Sequence, residues 1–234
     1  MKMNNHSPLG RSTPARADIP ASQPDISNLS RRARSYAGQA GLGTRSGILI
    51  YKTNDSEICD IPALTRRLEQ LETGTLVIFR YYNASERRLI SKRVCDICKR
   101  LGLPFLLAGD PKLALAIKAD GLHVPRWLLP RQGLWQGFDG ILTASCHNPS
   151  EIRQARLGGA DFGLISPVWK TPSHPDTEPL LVRGLHGLAK VARAPMGPPL
   201  PIVALGGLSA TNTQRLIVKP LIGFAGISVF HNPA

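Results

Sequence analysis

The chemistry-bearing residues of this chain fall into a few groups. Ser145 and His147 sit one residue apart at the end of an apolar run. A histidine with an ordinary pKa of ~6.5 suits proton transfer at neutral pH. The stretch Ala204-Leu205-Gly206-Gly207-Leu208, followed by Ser209 at a helix start, has the form of a phosphate cradle. Glycine lets the backbone approach an anion, and free helix N–H groups donate to it. A tight turn that needs glycine for its own geometry explains the same pair. Cys95-Asp96-Ile97-Cys98 has the spacing of a zinc or redox pair, without a second such pair or neighbouring histidines. Two small buried residues one helical turn apart account for it equally well.

Composition bounds the partners. The chain has 234 residues, 42% of them hydrophobic but only 6% aromatic, which suits one large domain with an aliphatic core. The formal net charge is +13, and seven basic against two acidic residues place +5 of it in the first 46 positions. Such an excess fits anionic partners, whether phosphorylated metabolites or nucleic acid. No apolar run approaches the ~18–20 residues needed to span a membrane. The four cysteines, read as reduced thiols, fit a cytoplasmic location.

Those residues need elements to position them. Residues 1–45 are rich in Ser, Pro, Arg, Ala and Gly, show no sustained period and are expected to form a disordered basic tail, with a short helix near Asn28–Tyr36. The tail is Arg-rich and acid-poor like a transit peptide, but has no apolar signal region. Residues 46–234 read as one domain. Apolar extended runs are expected at Gly47–Tyr51, Thr75–Tyr81, Pro104–Ala108, Gly121–Val124, Gly140–Ser145, Phe162–Ser166, Pro201–Leu205 and Gly223–Val229. Helical patterns cover Ile61–Glu72, Ser85–Leu101, Pro111–Ala119, Pro149–Leu157 and Ala210–Ile217, while Val124–Phe138 reads as irregular. Near-continuous apolar strands separated by helices imply a parallel sheet covered by helices, and eight of them imply closure into a TIM (β/α)8 barrel. The last strand lies close to Ala234, so a final covering helix is expected to be missing. An open dinucleotide-binding sheet is disfavoured, because Lys52-Thr53-Asn54-Asp55 after the first strand contains no glycine.

In such a barrel, function gathers at the carboxyl ends of the strands. Those ends carry Lys52; Arg80, Tyr81 and Tyr82; Asp110; His123; Ser145 and His147; Pro167 to His174; Gly206 and Gly207; and Ser228. The mouth is polar and basic, with one acid. His123 is expected to hydrogen-bond beneath the mouth, and Cys146 to face away from Ser145 and His147.

Five segments, in order and spacing, carry a resemblance. LALAIKADGLH at 113–123, TASCH at 143–147, GADF at 159–162, SPVWKTPSH at 166–174 and VALGGL at 203–208 resemble motifs of the thiamine phosphate synthase/TenI family over residues 47–230. The resemblance implies a thiamine biosynthesis enzyme joining hydroxymethylpyrimidine pyrophosphate to a thiazole phosphate with release of pyrophosphate. Magnesium and basic residues would hold the leaving group. Its TenI branch implies instead a thiazole tautomerase without metal, using His147 as proton carrier. A barrel that binds phosphate ligands without catalysis is a third reading.

The resemblance also implies roles. Ser145 and His147 would be catalytic. Arg80, Lys170, Thr171, Ser173, His174, Gly206, Gly207 and Ser228 would bind substrate phosphates. The family's metal-binding acid falls on Gly109, leaving Asp110 as the one candidate magnesium ligand. A second family acid falls in Val124-Pro125-Arg126-Trp127-Leu128, which contains none. The family's Arg-x-Lys reads Arg80-Tyr81-Tyr82, and its closing lysine falls on His174. The pyrophosphate side is therefore degenerate and the thiazole-phosphate side better kept. Nucleic acid is disfavoured as a partner, because the mouth offers little to stack bases on beyond Tyr81 and Tyr82. A homo-oligomer remains open.

Overall fold

Runs of four to six apolar residues build the scaffold, as short parallel strands buried on both faces must. The strands are β1 (Ile48–Lys52), β2 (Leu76–Phe79), β3 (Phe105–Ala108), β4 (Gly121–Val124), β5 (Ile141–Cys146), β6 (Phe162–Ile165), β7 (Ile202–Leu205) and β8 (Leu221–Gly226). They close in sequence order into a parallel barrel, with β8 pairing back on β1 through Ile48–Gly223 to Tyr51–Gly226. This computed structural model describes residues 48–53, 58, 60–71, 73–82, 85–171, 176–193, 199–213, 215–216 and 221–226. The expected tail at 1–45, Cys59, Ser173, His174, Ser228 and the stretch on which the missing final helix was read all lie outside the described residues.

Strand alternation divides the core in two. Ile50, Ile78, Leu106, Ala108, Leu164, Val203 and Leu205 point into the barrel. Tyr51, Val77, Phe79, Leu107, Leu122, Cys146 and Ile165 point outward beneath the helices. Cys146 thus packs on the outer layer, as its position opposite Ser145 and His147 predicts.

The helices start where the sequence punctuates them. They are α1 (Ile61–Glu69), α2 (Arg87–Leu101), α3 (Pro111–Ala116), α4 (Pro149–Leu157), α5 (Leu181–Ala192) and α6 (Ala210–Thr213). Asp60, Asp110 and Asn148 cap α1, α3 and α4 by accepting the backbone N–H three residues on, at 2.9 to 3.0 Å. Each cap is followed by proline in the first turn, where its missing N–H costs nothing. Three expected helices end early: α1 at Glu69, α3 at Ala116 and α6 at Thr213. The segment 124–138 holds only a 3-10 turn at Gln132–Leu134, pinned by buried Trp135, whose indole N–H donates to the Leu128 carbonyl at 3.0 Å.

The sequence reading did not single out α5. Its Gly184 and Gly187 lower helix propensity by about 1 kcal/mol each. Burial of Leu185, Leu188, Ala189 and Ala192 against the barrel outweighs that cost. A β-carbon at Gly187 would meet nothing within 4 Å. Gly187→Ala should therefore stabilise the protein by about 0.5–1 kcal/mol in urea unfolding, and a loss of stability would contradict this account of α5.

The Cys95–Cys98 pair lies on the buried face of α2. Burial pushes the Cys95 thiol up to about 11 and the Cys98 thiol higher still. Metal binding and redox exchange both need the thiolate. The packing reading of that motif holds, and no cluster of three metal-ligating side chains exists among the described residues. No helix among them is long and apolar enough to cross a membrane.

Candidate active site

Strand parity decides what faces the barrel mouth. Ile50, Ile78 and Thr143 point inward, so Lys52, Arg80 and Ser145, each two residues on, do the same at the carboxyl ends. Together with His123, Tyr82, Trp127, His147, Ser166, Thr171, Gly206 and Gly207 they line a cavity of about 530 Å3.

Its floor is cationic. Lys52 is partly buried, and its ammonium is lowered to about 7, first by burial and then by the Arg80 charge. Among the described residues neither the Lys52 nor the Arg80 side chain has a hydrogen-bond or ion-pair partner. The Arg80 backbone is held by Thr53, whose hydroxyl accepts its N–H at 3.0 Å.

His123 lies buried between two hydroxyls, with Nδ1 2.8 Å from Thr143 Oγ1 and Nε2 2.9 Å from Ser145 Oγ. Burial, followed by the nearby Lys52 and Arg80 charges, holds its pKa well below the usual imidazole value. A neutral ring donates from one nitrogen and accepts at the other, so His123 fixes the Ser145 hydroxyl at the cavity wall.

His147 is differently placed. Its backbone N–H and its Nδ1 both reach Glu151 Oε2, at 2.7 and 2.9 Å. Nε2 faces the cavity beside Ser166 Oγ at 3.4 Å. A carboxylate on Nδ1 sets the tautomer that leaves Nε2 as the base. Glu151 itself is buried and also takes Asn148 Nδ2 and Arg126 Nε on Oε1, both at 2.8 Å. Sequence reading missed Glu151 and Arg126. The available signal was the spacing of Asn148 and Glu151, which is that of a capping box and puts an acid one turn after His147.

The glycine pair is a sharp turn that carries the neighbouring loop. Gly206 and Gly207 have φ of 97° and 62°. A β-carbon on Gly207 would lie 2.4 Å from the Lys170 carbonyl, and one on Gly206 3.0 Å from Pro167. Their carbonyls are occupied, Gly206 accepting from the Trp169 N–H and Gly207 from Asn212 Nδ2. The expected helix behind them is a single turn, in which Ser209 and Asn212 satisfy each other's backbone N–H groups. The Ser209 and Asn212 N–H groups are thus already occupied at this turn. Thr171 lines the cavity, whereas Lys170 is exposed and does not.

The magnesium expectation meets a contrary donor set. Asp110 Oδ1 caps α3, and Oδ2 lies 3.6 Å from Arg87 Nη1. Gly109, in the place of the family's acid, has φ of 78°, and a β-carbon there would lie 2.8 Å from the Trp127 ring and 3.2 Å from Tyr82. Trp127 and Tyr82 meet edge to face at 6.4 Å, with Arg87 stacked 5.5 Å from the Tyr82 ring centre. Aromatic surface and a guanidinium thus stand where hard oxygen ligands are needed, and the described residues do not fit a protein-held magnesium. Arg87 folds inward and donates to the Ala108 carbonyl at 2.6 Å.

A sequence profile described as thiamine monophosphate synthase matches residues 49–231. The chain belongs to this family. A thiamine-phosphate synthase of Bacillus velezensis is 36% identical over 61% of this chain and 62% of its own length, so the match spans less than two thirds of that relative. One from Bacillus cereus is 34% identical over 77% of this chain and 82% of its own. Among solved structures, a thiamine phosphate pyrophosphorylase from Pyrococcus furiosus superposes with a TM-score of 0.60 at 22% identity, covering 81% of this chain and 87% of the other. That likeness carries the fold, and the barrel and the family expected from the motifs both hold.

Proposed function

We propose that this chain is a thiamine biosynthesis enzyme that joins hydroxymethylpyrimidine pyrophosphate to a thiazole phosphate within the barrel mouth. The observation that carries the reading is the polarity of one cavity. The Gly206-Gly207 turn and Thr171 lie toward β6 and β7, and Arg80 follows β2 across the axis. Two phosphorylated ligands can then lie with their anionic ends apart and their rings meeting between. The relatives' names agree with this assignment. In the reaction the pyrimidine C–O bond to diphosphate breaks, and the thiazole nitrogen forms the new C–N bond. Arg80 would stabilise the departing anion. Ser145, oriented by His123, would donate a hydrogen bond from the wall.

A second reading is favoured by the His147–Glu151 pair, whose geometry is that of an oriented proton carrier. It corresponds to tautomerisation of a thiazole carboxylate phosphate.

Calorimetric titration with thiazole phosphate, followed by an assay of thiamine phosphate formation from both substrates, tests the assignment. Binding with turnover is expected. If thiazole phosphate binds and no thiamine phosphate forms with or without magnesium, the synthase reading is lost. Solvent deuterium exchange into a thiazole carboxylate phosphate, abolished in His147→Asn, would then establish the second.

A further inference from the structure

Lys52 has no part in the reaction steps proposed above. It ends β1, points inward beside Arg80, and lines the cavity floor. No carboxylate among the described residues answers either charge; Glu178 lines only the rim and is exposed. Asp110 is turned away to α3 and Arg87.

Two cations sharing a partly buried floor repel each other, and no counter-ion among the described residues offsets that cost. An anion of charge two or more would relieve it. The acid position that a metal would require is closed by the Trp127 ring over Gly109.

We propose that Lys52 and Arg80 together form a diphosphate-binding floor that neutralises the leaving group without a protein-bound metal. This rests on the function proposed above and specifies how its pyrophosphate side works. Arg80 offers a planar fork to two oxygens, and Lys52 a compact charge from the neighbouring strand. The depressed Lys52 ammonium is consistent with a site poised to gain a proton when an anion arrives.

The probe is inorganic pyrophosphate, titrated calorimetrically into the full chain in EDTA and again in magnesium. Thiazole phosphate serves as the parallel ligand. Wild type should bind pyrophosphate in EDTA. Lys52→Met should weaken that binding by roughly 10- to 100-fold, the usual range for a charged hydrogen bond. Lys52→Arg should keep it within a few-fold, and both variants should bind thiazole phosphate as wild type does, which also reports that they fold. If wild type binds pyrophosphate only with magnesium, or if Lys52→Met leaves the metal-free affinity unchanged, the proposal is overturned while the assigned function stands. If Lys52→Met weakens both ligands equally, a specific diphosphate role for Lys52 is overturned. If wild type binds neither ligand, the assigned function falls and the floor with it.

Discussion

Glu151→Ala should lower the stability of the folded chain by about 2–4 kcal/mol. Its carboxylate takes the His147 backbone N–H, His147 Nδ1, Asn148 Nδ2 and Arg126 Nε, while its own side chain is only 8% exposed. Removing it leaves half-buried donors at the head of α4 without their acceptor, and an unmet buried donor costs more than the bond was worth. Arg126 adds little to this sum, because its side chain is 70% exposed and the pair is screened on that side. Glu151→Gln keeps the shape and one acceptor, so about half the loss is expected. Urea unfolding of the two variants measures this directly. A change of less than about 0.5 kcal/mol for the alanine variant would mean that the network is not a stabilising one. The same variants separate the two readings of His147. If His147 moves protons, both should slow solvent exchange by more than they weaken thiazole phosphate binding.

Arg80→Ala should reduce kcat/KM for thiamine phosphate formation by about 100-fold or more, with thiazole phosphate affinity unchanged. The reason is where charge develops. In the proposed reaction negative charge builds on the diphosphate as the pyrimidine departs, and a fixed donor in a site partly closed to water is worth about 2.7 kcal/mol or more there. Arg80 has no competing partner among the described residues, and Thr53 holds its backbone in place. Arg80→Lys should recover part of the rate, since the charge returns without the two-pronged geometry. Steady-state kinetics on both variants decides it. A fall of less than about threefold in Arg80→Ala would remove Arg80 from the leaving-group site.

Much of this protein is written in local pattern. The strands at Gly121–Val124 and Phe162–Ile165 and the helix at Pro149–Leu157 follow from apolar runs and from Asn148-Pro149 as cap and first turn. Period two along β5 placed Cys146 outside and Ser145 inside, because a strand cannot present neighbouring residues to one face. The order of its motifs is enough to point to the family. Helix α5 was less legible, since its glycines argue against a helix locally and only the barrel it packs on argues for one.

The sequence alone determined that a closed parallel barrel would bring Lys52, Arg80, Ser145 and His147 to one mouth, with His123 beneath it. Their roles were decided by three-dimensional neighbours. Ser145 is bound to His123, 22 residues away, so its hydroxyl is fixed from the neighbouring strand β4. Asp110 reads as a metal ligand in sequence, yet its oxygens go to the α3 backbone and to Arg87, because a carboxylate takes the nearest unmet donors. Trp127 closes the place of the missing acid from 18 residues further along the chain, and the charges of Lys52 and Arg80 come within reach of each other only when β1 and β2 pair. Hydrogen bonds, ring contacts and charges act through space over a few ångströms, and at these sequence separations only the closed barrel sets those distances.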